Sequence, residues 1–258
     1  MAKKAESATD QQPAASVHII LQGKGGVGKS LVAAMLAQYF AETCDQDVKC
    51  IDTDPVNQTL ASYKALQADH IKLMDGSKID ERNFDNLMER LLSEDGVFIV
   101  DNGASSFVPL SNYLIENSAL EVLREAGRRV FIHSVVTGGQ ALFDTLGGFA
   151  ELARQAASNN LVVWLNEYFG AIEATDAEGA SKSFAEMSVY VSNQEKVLGI
   201  VRIAKRNNDT FGRDIEEMVS SKLTFAEALQ NSDVTIMARQ RLKIVQKDIY
   251  EQLARIRF

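Results

Sequence analysis

The 258-residue sequence has two cysteines, three histidines, one tryptophan and no long apolar run, and each scarcity closes off a class of function. Cys44 and Cys50 have a spacing that fits neither a CxxC redox pair nor a metal knuckle, so they read as inert thiols flanking a strand. His18, His70 and His133 sit in apolar, strand-like stretches at no metal-ligand spacing and read as satisfied or edge histidines. Trp164 reads as core. No stretch is long enough to cross a bilayer. Residues 1–15, MAKKAESATDQQPAA, lack the apolar segment of a signal peptide and read as a flexible tail ahead of a single domain over 16–258. A soluble, cytoplasmic protein is expected. Basic charge is short too: 27 Lys and Arg against 35 Asp and Glu leave a net charge of −8 and a pI near 5.0. That balance argues against a surface generally attractive to nucleic acid and leaves only a local basic patch open.

What is present is ordinary globular composition, 46% hydrophobic and 24% charged, enough for one α/β domain with a sizeable core. Strand and helix periodicities alternate along the chain without internal repeats or an interdomain linker. Strands are expected at 17–21, 47–52, 70–74, 97–100, 129–136, 161–165 and 198–203. Helices are expected at 31–42, 83–92, 140–155 and 183–191, and over 211–258 with breaks near Ser221 and Asn231. Residues 173–181, EATDAEGAS, read as a mobile surface loop. Such alternation predicts a doubly wound, mostly parallel sheet flanked by helices.

The most specific stretch is GKGGVGKS at 23–30, which satisfies GxxxxGK[ST] between a strand and a helix. Its glycines, Gly23, Gly25, Gly26 and Gly28, let backbone N–H groups turn inward as an anion nest, and the following helix adds its positive dipole end. Lys29 then reaches the β- and γ-phosphates of a nucleotide, and the Ser30 hydroxyl ligates Mg²⁺. The candidate nucleotide-binding residues are Gly23, Lys24, Gly25, Gly26, Val27, Gly28, Lys29, Ser30 and Leu31.

In an open α/β sheet, ligands collect at the carboxyl ends of the strands. VFIVDNG ends in Asp101, the arrangement in which a carboxylate holds Mg²⁺; a capping or turn aspartate is the other reading. VVTGGQ places Gly138 and Gly139 before a helix, suited to close approach of a ligand or a second subunit, or simply to a tight turn. VVWLNEY ends a strand in Asn166, and no NKxD follows to recognise guanine, which favours ATP.

Lys24, directly after the first glycine, makes KGGVGKS resemble the deviant Walker A motif of the ParA/MinD family of P-loop ATPases. The resemblance runs through CIDTDPVN, DNGASSFVPL, VVTGGQAL, VVWLN and TIMARQRLKIV, over most of residues 17–253. Within the family it looks like the TraL proteins of conjugative-plasmid transfer regions. It implies a Mg²⁺- and ATP-dependent homodimer that hydrolyses ATP slowly and is read by a protein partner in a transfer or positioning system. It also implies that Lys24 reaches the partner subunit's nucleotide, that Asp52 belongs to the Mg²⁺ surroundings, that Asp54 positions the attacking water, and that Asn166 hydrogen-bonds adenine. For the aspartate pair the other reading is two turn-formers before Pro55, and for Asn166 a turn residue. The chain departs from many relatives at Asn102, Gly103, Ala104 and Ser105, where they carry prolines. A small-molecule ligase or kinase on the same fold is the alternative function. A redox iron protein would need cluster cysteines after the Asp101 strand, and Cys44 and Cys50 precede it.

Residues 239–258 carry Leu242, Val245, Ile249, Leu253 and Ile256 on one helical face, with six basic residues against two acidic ones, Asp248 and Glu251. A final helix docked on the sheet with a solvated basic face is the favoured reading, with DNA or membrane contact through that face as the other.

Overall fold

The computed structural model describes residues 15–76, 78–157, 160–175 and 179–258. The expected tail therefore lies outside the described residues except for Ala15, whose carbonyl accepts from the Arg129 amide at 3.1 Å.

In chain order the elements are β1 (Ser16–Leu21), α1 (Lys29–Thr43), β2 (Val48–Asp52), β3 (Asp69–His70), β4 (Met74–Asp75), β5 (Lys78–Ile79), α2 (Asn83–Ser93) and β6 (Val97–Asp101). They continue with α3 (Phe107–Glu116), α4 (Ala119–Glu125), β7 (Arg129–Thr137), α5 (Leu142–Gln155), β8 (Leu161–Asn166), β9 (Glu173–Thr175) and β10 (Ser181–Ser183). The chain closes with α6 (Ser188–Val191), β11 (Val197–Ile203), α7 (Arg213–Ser220), α8 (Phe225–Gln230) and α9 (Ile236–Leu253). Seven strands form one sheet in the order β11-β8-β7-β1-β6-β2-β3, every pairing parallel. This is the doubly wound sheet read from the periodicity.

Strand β1 lies at the centre, and all six of its residues are buried. A parallel strand covered on both faces must be apolar almost throughout, which is why the period-2 pattern is missing there. Its side chains still alternate by face: Val17, Ile19 and Leu21 pack with α2 to α5, while Ile20 packs with α1, α7, α8 and α9. On the latter side α9 buries Leu242, Val245, Ile249 and Leu253. The final helix is thus docked, and its breaks from α7 and α8 fall at Ser221 and Asn231. Arg241, from the basic face, is committed to Asp214 through Nε at 2.5 Å and Nη2 at 3.2 Å.

Several local expectations change. The strand expected over 70–74 survives only as Asp69–His70, because Met74–Asp75 pairs antiparallel with Lys78–Ile79 beside Gly76, whose φ of 58° makes the turn. The helix expected over 183–191 is two short turns separated at Met187, which is extended, with Ser183 and Glu186 forming a capping box at the first. Within the expected loop, Glu173–Thr175 pairs with Ser181–Ser183 as a hairpin; residues 176–178 lie outside the described residues. Helices α3 and α4 were not expected.

A hydrogen-bonded polar chain runs through the core across β1, β7 and β8. Trp164 Nε1 donates to His133 Nδ1 at 3.0 Å, His133 Nε2 lies 3.0 Å from His18 Nδ1, and His18 Nε2 lies 3.1 Å from Ser16 Oγ. Indole is a donor only, so its bond assigns the rest. His133 carries its proton on Nε2 and donates to His18, whose own proton is on Nε2 and is donated to Ser16. Burial pushes His18 well below the ordinary value and His133 down to about 3. Below the unfolded value near 6.5, the unfolded chain takes up protons that the folded one refuses, so the pair's contribution is intact above that pH and falls as pH drops. Nitrogen-15 spectra of histidine-labelled protein at pH 5.5 are expected to show both rings neutral with protons on Nε2; an imidazolium signal from either would overturn the assignment.

Candidate functional site

Strands β1, β2 and β6 end side by side, with Asp52 opposite Asp101 in register and Ile20 opposite Asp101 on the other flank. Each delivers one piece of the site. The loop after β1 turns into α1 at Gly28, whose φ of 102° favours glycine and whose missing Cβ would lie 2.9 Å from Asn166 Nδ2. Lys29, only 8% exposed, donates through Nζ to the Lys24 carbonyl at 3.1 Å. Burial lowers its pKa, while Asp101 and Asp54 pull it back up.

Asp101 is almost fully buried, and its Oδ1 has no hydrogen-bond partner. Burial, with help from Asp52 and Asp54, pushes its carboxyl up to about 7, against the opposing pull of Ser30 and Lys29. An orphaned carboxylate oxygen in a dry site is costly unless a cation meets it. The Ser30 hydroxyl and this carboxylate fit Mg²⁺, which takes one or two protein ligands and leaves the remaining positions to phosphate and water. No cage of three or more His, Cys, Asp or Glu exists among the described residues, as that mode of binding requires none.

Asp52 and Asp54 both hold turns. Asp52 Oδ1 accepts from the Asp54 amide and Oδ2 from the Ala61 amide, each at 3.0 Å. Burial raises its pKa and those two backbone bonds oppose the rise. Asp54 Oδ1 accepts from the amides of Val56 and Asn57 at 2.9 and 3.0 Å. Asp54 nevertheless lines the same cleft as Lys29 and Ser30. Asp52 therefore shapes the loop from beside Asp101, and Asp54 borders the space where phosphate would lie.

The atypical loop after Asp101 is stitched to this turn. Thr53 Oγ1 donates within 3.1 Å of both the Asp101 carbonyl and Asn102 Oδ1, and Ser106 Oγ donates to Asn102 Oδ1 at 2.8 Å. Gly103 packs so closely that a Cβ there would lie 2.6 Å from Asp54 Cγ. The two loops are thus in direct contact through hydrogen bonds and packing.

Asn166 joins the phosphate loop to the end of β8. Its Nδ2 donates to the Val27 carbonyl at 2.9 Å and its Oδ1 accepts from the Tyr168 amide at 3.2 Å. It borders a cleft of about 210 Å³ whose lining includes Leu31, Phe169, Ile203, Ala204 and Ile215, mostly apolar walls suited to a planar base. That cleft and the one holding Lys29 share Gly26, Gly28 and Leu31, so they run on as one trough. Tyr168 donates its hydroxyl to Glu216 across the rim. Gly138 and Gly139 approach backbone of their own chain: a Cβ on Gly138 would lie 2.4 Å from the carbonyl oxygens of Gly170 and Ala171.

Lys24 points the other way. Its Nζ meets Asp144 Oδ2 at 2.8 Å, both side chains about half exposed. Gln22, fully buried, donates through Nε2 to the carbonyls of Val135 and Thr145 at 2.9 and 3.1 Å and so ties the start of the loop to α5. Neither Gln22 nor Asp144 is picked out by motif reading. A polar residue closing an apolar strand marks the first in retrospect, and nothing in the sequence marks the second.

Residues 18–240 match the model of the CobQ/CobB/MinD/ParA nucleotide binding domain. A TraL protein of Escherichia coli is 51% identical over 240 residues, covering 93% of this chain and 97% of that protein. Among solved structures, a ParA family ATPase from Chlorobium tepidum TLS superposes with a TM-score of 0.51 at 15% identity, over 90% of this chain and 98% of that one. The septum site-determining protein MinD from Pyrococcus horikoshii OT3, complexed with Mg-ADP, gives 0.50 at 14% identity, over 93% and 97%. The structural likenesses speak to fold; the domain match and the extent of shared sequence place this chain in the CobQ/CobB/MinD/ParA nucleotide-binding family, as a relative of the TraL proteins.

Proposed function

We propose that the chain is a Mg²⁺-dependent ATPase that pairs with a second copy while ATP is bound and separates after hydrolysis. The observation that carries this reading is the meeting of Lys29, Ser30 and the orphaned Asp101 oxygen at the carboxyl edge of the sheet. Lys29 binds the β- and γ-phosphates. Ser30 and Asp101 hold Mg²⁺, with Asp52 behind them. Bound Mg²⁺ supplies charge neutralisation on the phosphates. Asp54 orients the attacking water, and the trough beside Asn166 holds adenine. Phosphoryl transfer needs positioning and electrostatics more than covalent chemistry, and fixed groups of this kind supply both.

Pairing is proposed because Lys24 sits exposed at the rim, away from its own phosphate site. Its side chain is about half exposed and makes a surface ion pair with Asp144. Identity with TraL proteins supports a setting in conjugative DNA transfer, where a protein component of the transfer system would read the paired state from the cytoplasm. None of the described helices is long and apolar enough to cross a membrane.

Lys29→Ala is expected to weaken MgATP binding at least ~100-fold, since a charge on the phosphates is worth several kcal/mol in a dry site. Calorimetry on the folded variant makes the measurement, and undiminished affinity would move the nucleotide elsewhere.

Asp54→Asn keeps an oxygen for the Val56 and Asn57 amides. It is expected to bind ATP within a few-fold of the parent while hydrolysis falls ~100-fold, leaving a trapped dimer. Lys24→Ala is expected to bind ATP as a monomer and, combined with Asp54→Asn, to dissolve the trap. Light scattering and phosphate release read these outcomes. Normal pairing and turnover by Lys24→Ala would leave a plain phosphate-loop enzyme.

A further inference from the structure

Three elements wall the cleft beside Asn166: the turn after β8 with Tyr168 and Phe169, the segment after β11 with Ala204 and Lys205, and α7 with Ile215 and Glu216. The Tyr168 hydroxyl donates to the Glu216 carboxylate, so a side-chain bridge joins the β8 turn to α7 at the rim of this cleft. Both footings of the bridge are fixed. The Tyr168 amide donates to Asn166 Oδ1 at 3.2 Å, and the Gly170 amide donates to the Glu167 carbonyl at 3.1 Å. The Glu167 carboxylate accepts from Arg202 Nη1 at 2.7 Å and from the Lys205 amide at 3.2 Å. On α7, Arg213 is committed to Glu217 at 2.9 Å, which leaves Glu216 to Tyr168. The span between the footings is not fixed. Tyr168 is 41% exposed, and its ring meets that of Phe169 edge-on with centroids 4.8 Å apart. Rotation of Tyr168 toward solvent parts the bridge and leaves Phe169 in the wall.

We propose that Tyr168 and Glu216 form a gate over the base end of the trough, which sets how fast nucleotide enters and leaves without setting how tightly it binds. The proposal rests on the reading that a nucleotide lies along the trough with its phosphates at Lys29 and its base beside Asn166. Exposed side chains change rotamer on a picosecond to nanosecond scale, far faster than a nucleotide exchanges, so the gate acts through the fraction of time it stands open. One hydrogen bond to a carboxylate at a half-exposed rim favours the closed form by ~3- to 10-fold. Closure bars entry to the empty trough and exit from the filled one alike. It therefore slows both rates by the same factor and cancels from the affinity, as any equilibrium equally populated with and without ligand must. The effect on the switch falls at the end of its cycle. ADP leaves only when the bridge parts, and product release governs turnover in many enzymes, so the same bridge sets how soon the chain takes up its next ATP.

Stopped-flow fluorescence of the full chain with methylanthraniloyl-ADP and Mg²⁺ reads both rates, association from a concentration series and dissociation from displacement by excess unlabelled ADP. Tyr168→Phe keeps the ring and loses the donor. Both rate constants are expected to rise ~3- to 10-fold while their ratio stays within ~2-fold of the parent's. Glu216→Ala is expected to give the same pattern, and the double variant to exchange no faster than either single one, because all three break one bond. A contact between either residue and the nucleotide would instead change the ratio. Unchanged rates in Tyr168→Phe, a change confined to one of them, or additive effects in the double variant would overturn the gate. If the parent binds the labelled nucleotide and Lys29→Ala does not, the reading of the site stands in that event. A parent that binds no nucleotide brings down both.

Discussion

A carboxylate without water around it governs this site. Asp101 ends a fully buried strand, and the strand beside it ends in the equally buried Asp52. Two acidic groups at the dry end of a sheet repel each other and lack solvation. The surrounding chain is arranged to relieve this. Two backbone amides take up Asp52, Lys29 and Ser30 flank Asp101, and one oxygen is left over. The loop from Asp52 to Ala61 owes its shape to that requirement, since its amides serve as the donors Asp52 needs.

Much of this was legible from residue order. The GKGGVGKS stretch combines glycine, lysine and serine at a spacing with a single strong physical use, and the apolar runs before Asp101 and Asn166 are too continuous to be anything but buried parallel strands. Illegible were the features made by long-range contact. The Asp144 partner of Lys24 lies far along the chain, in a helix that the periodicity places but does not orient. Helices α3 and α4 escaped because the stretch from Asn102 to Gly127 mixes a Pro with serines and asparagines, which weaken helical signal, and burial of Leu110, Leu114, Leu120 and Leu123 overrides it. The strand expected at 70–74 was lost to a turn at Gly76, a tertiary choice between sheet edge and hairpin that apolar content does not decide.

The loop after Asp101 is restrained by side chains it shares with the neighbouring turn. Asn102 and Ser106 build a side-chain hydrogen-bond network with Thr53. Proline would restrict φ and remove a donor; a network restrains the same segment through contacts to its neighbour. Restraint by a neighbour couples the two loops, whereas restraint by a ring acts within one. The absence of side-chain bulk at Gly103, against Asp54, strengthens that coupling.

The sole tryptophan has a spectroscopic consequence. Trp164 is fully buried on β8, bonded to His133 and in contact with its ring, with the core on either side. It is not among the residues lining the trough between Lys29 and Asn166. Its emission therefore reports the integrity of the central sheet and stays largely silent to occupancy of the trough, so a melting curve followed through indole fluorescence separates loss of fold from loss of ligand without any added dye.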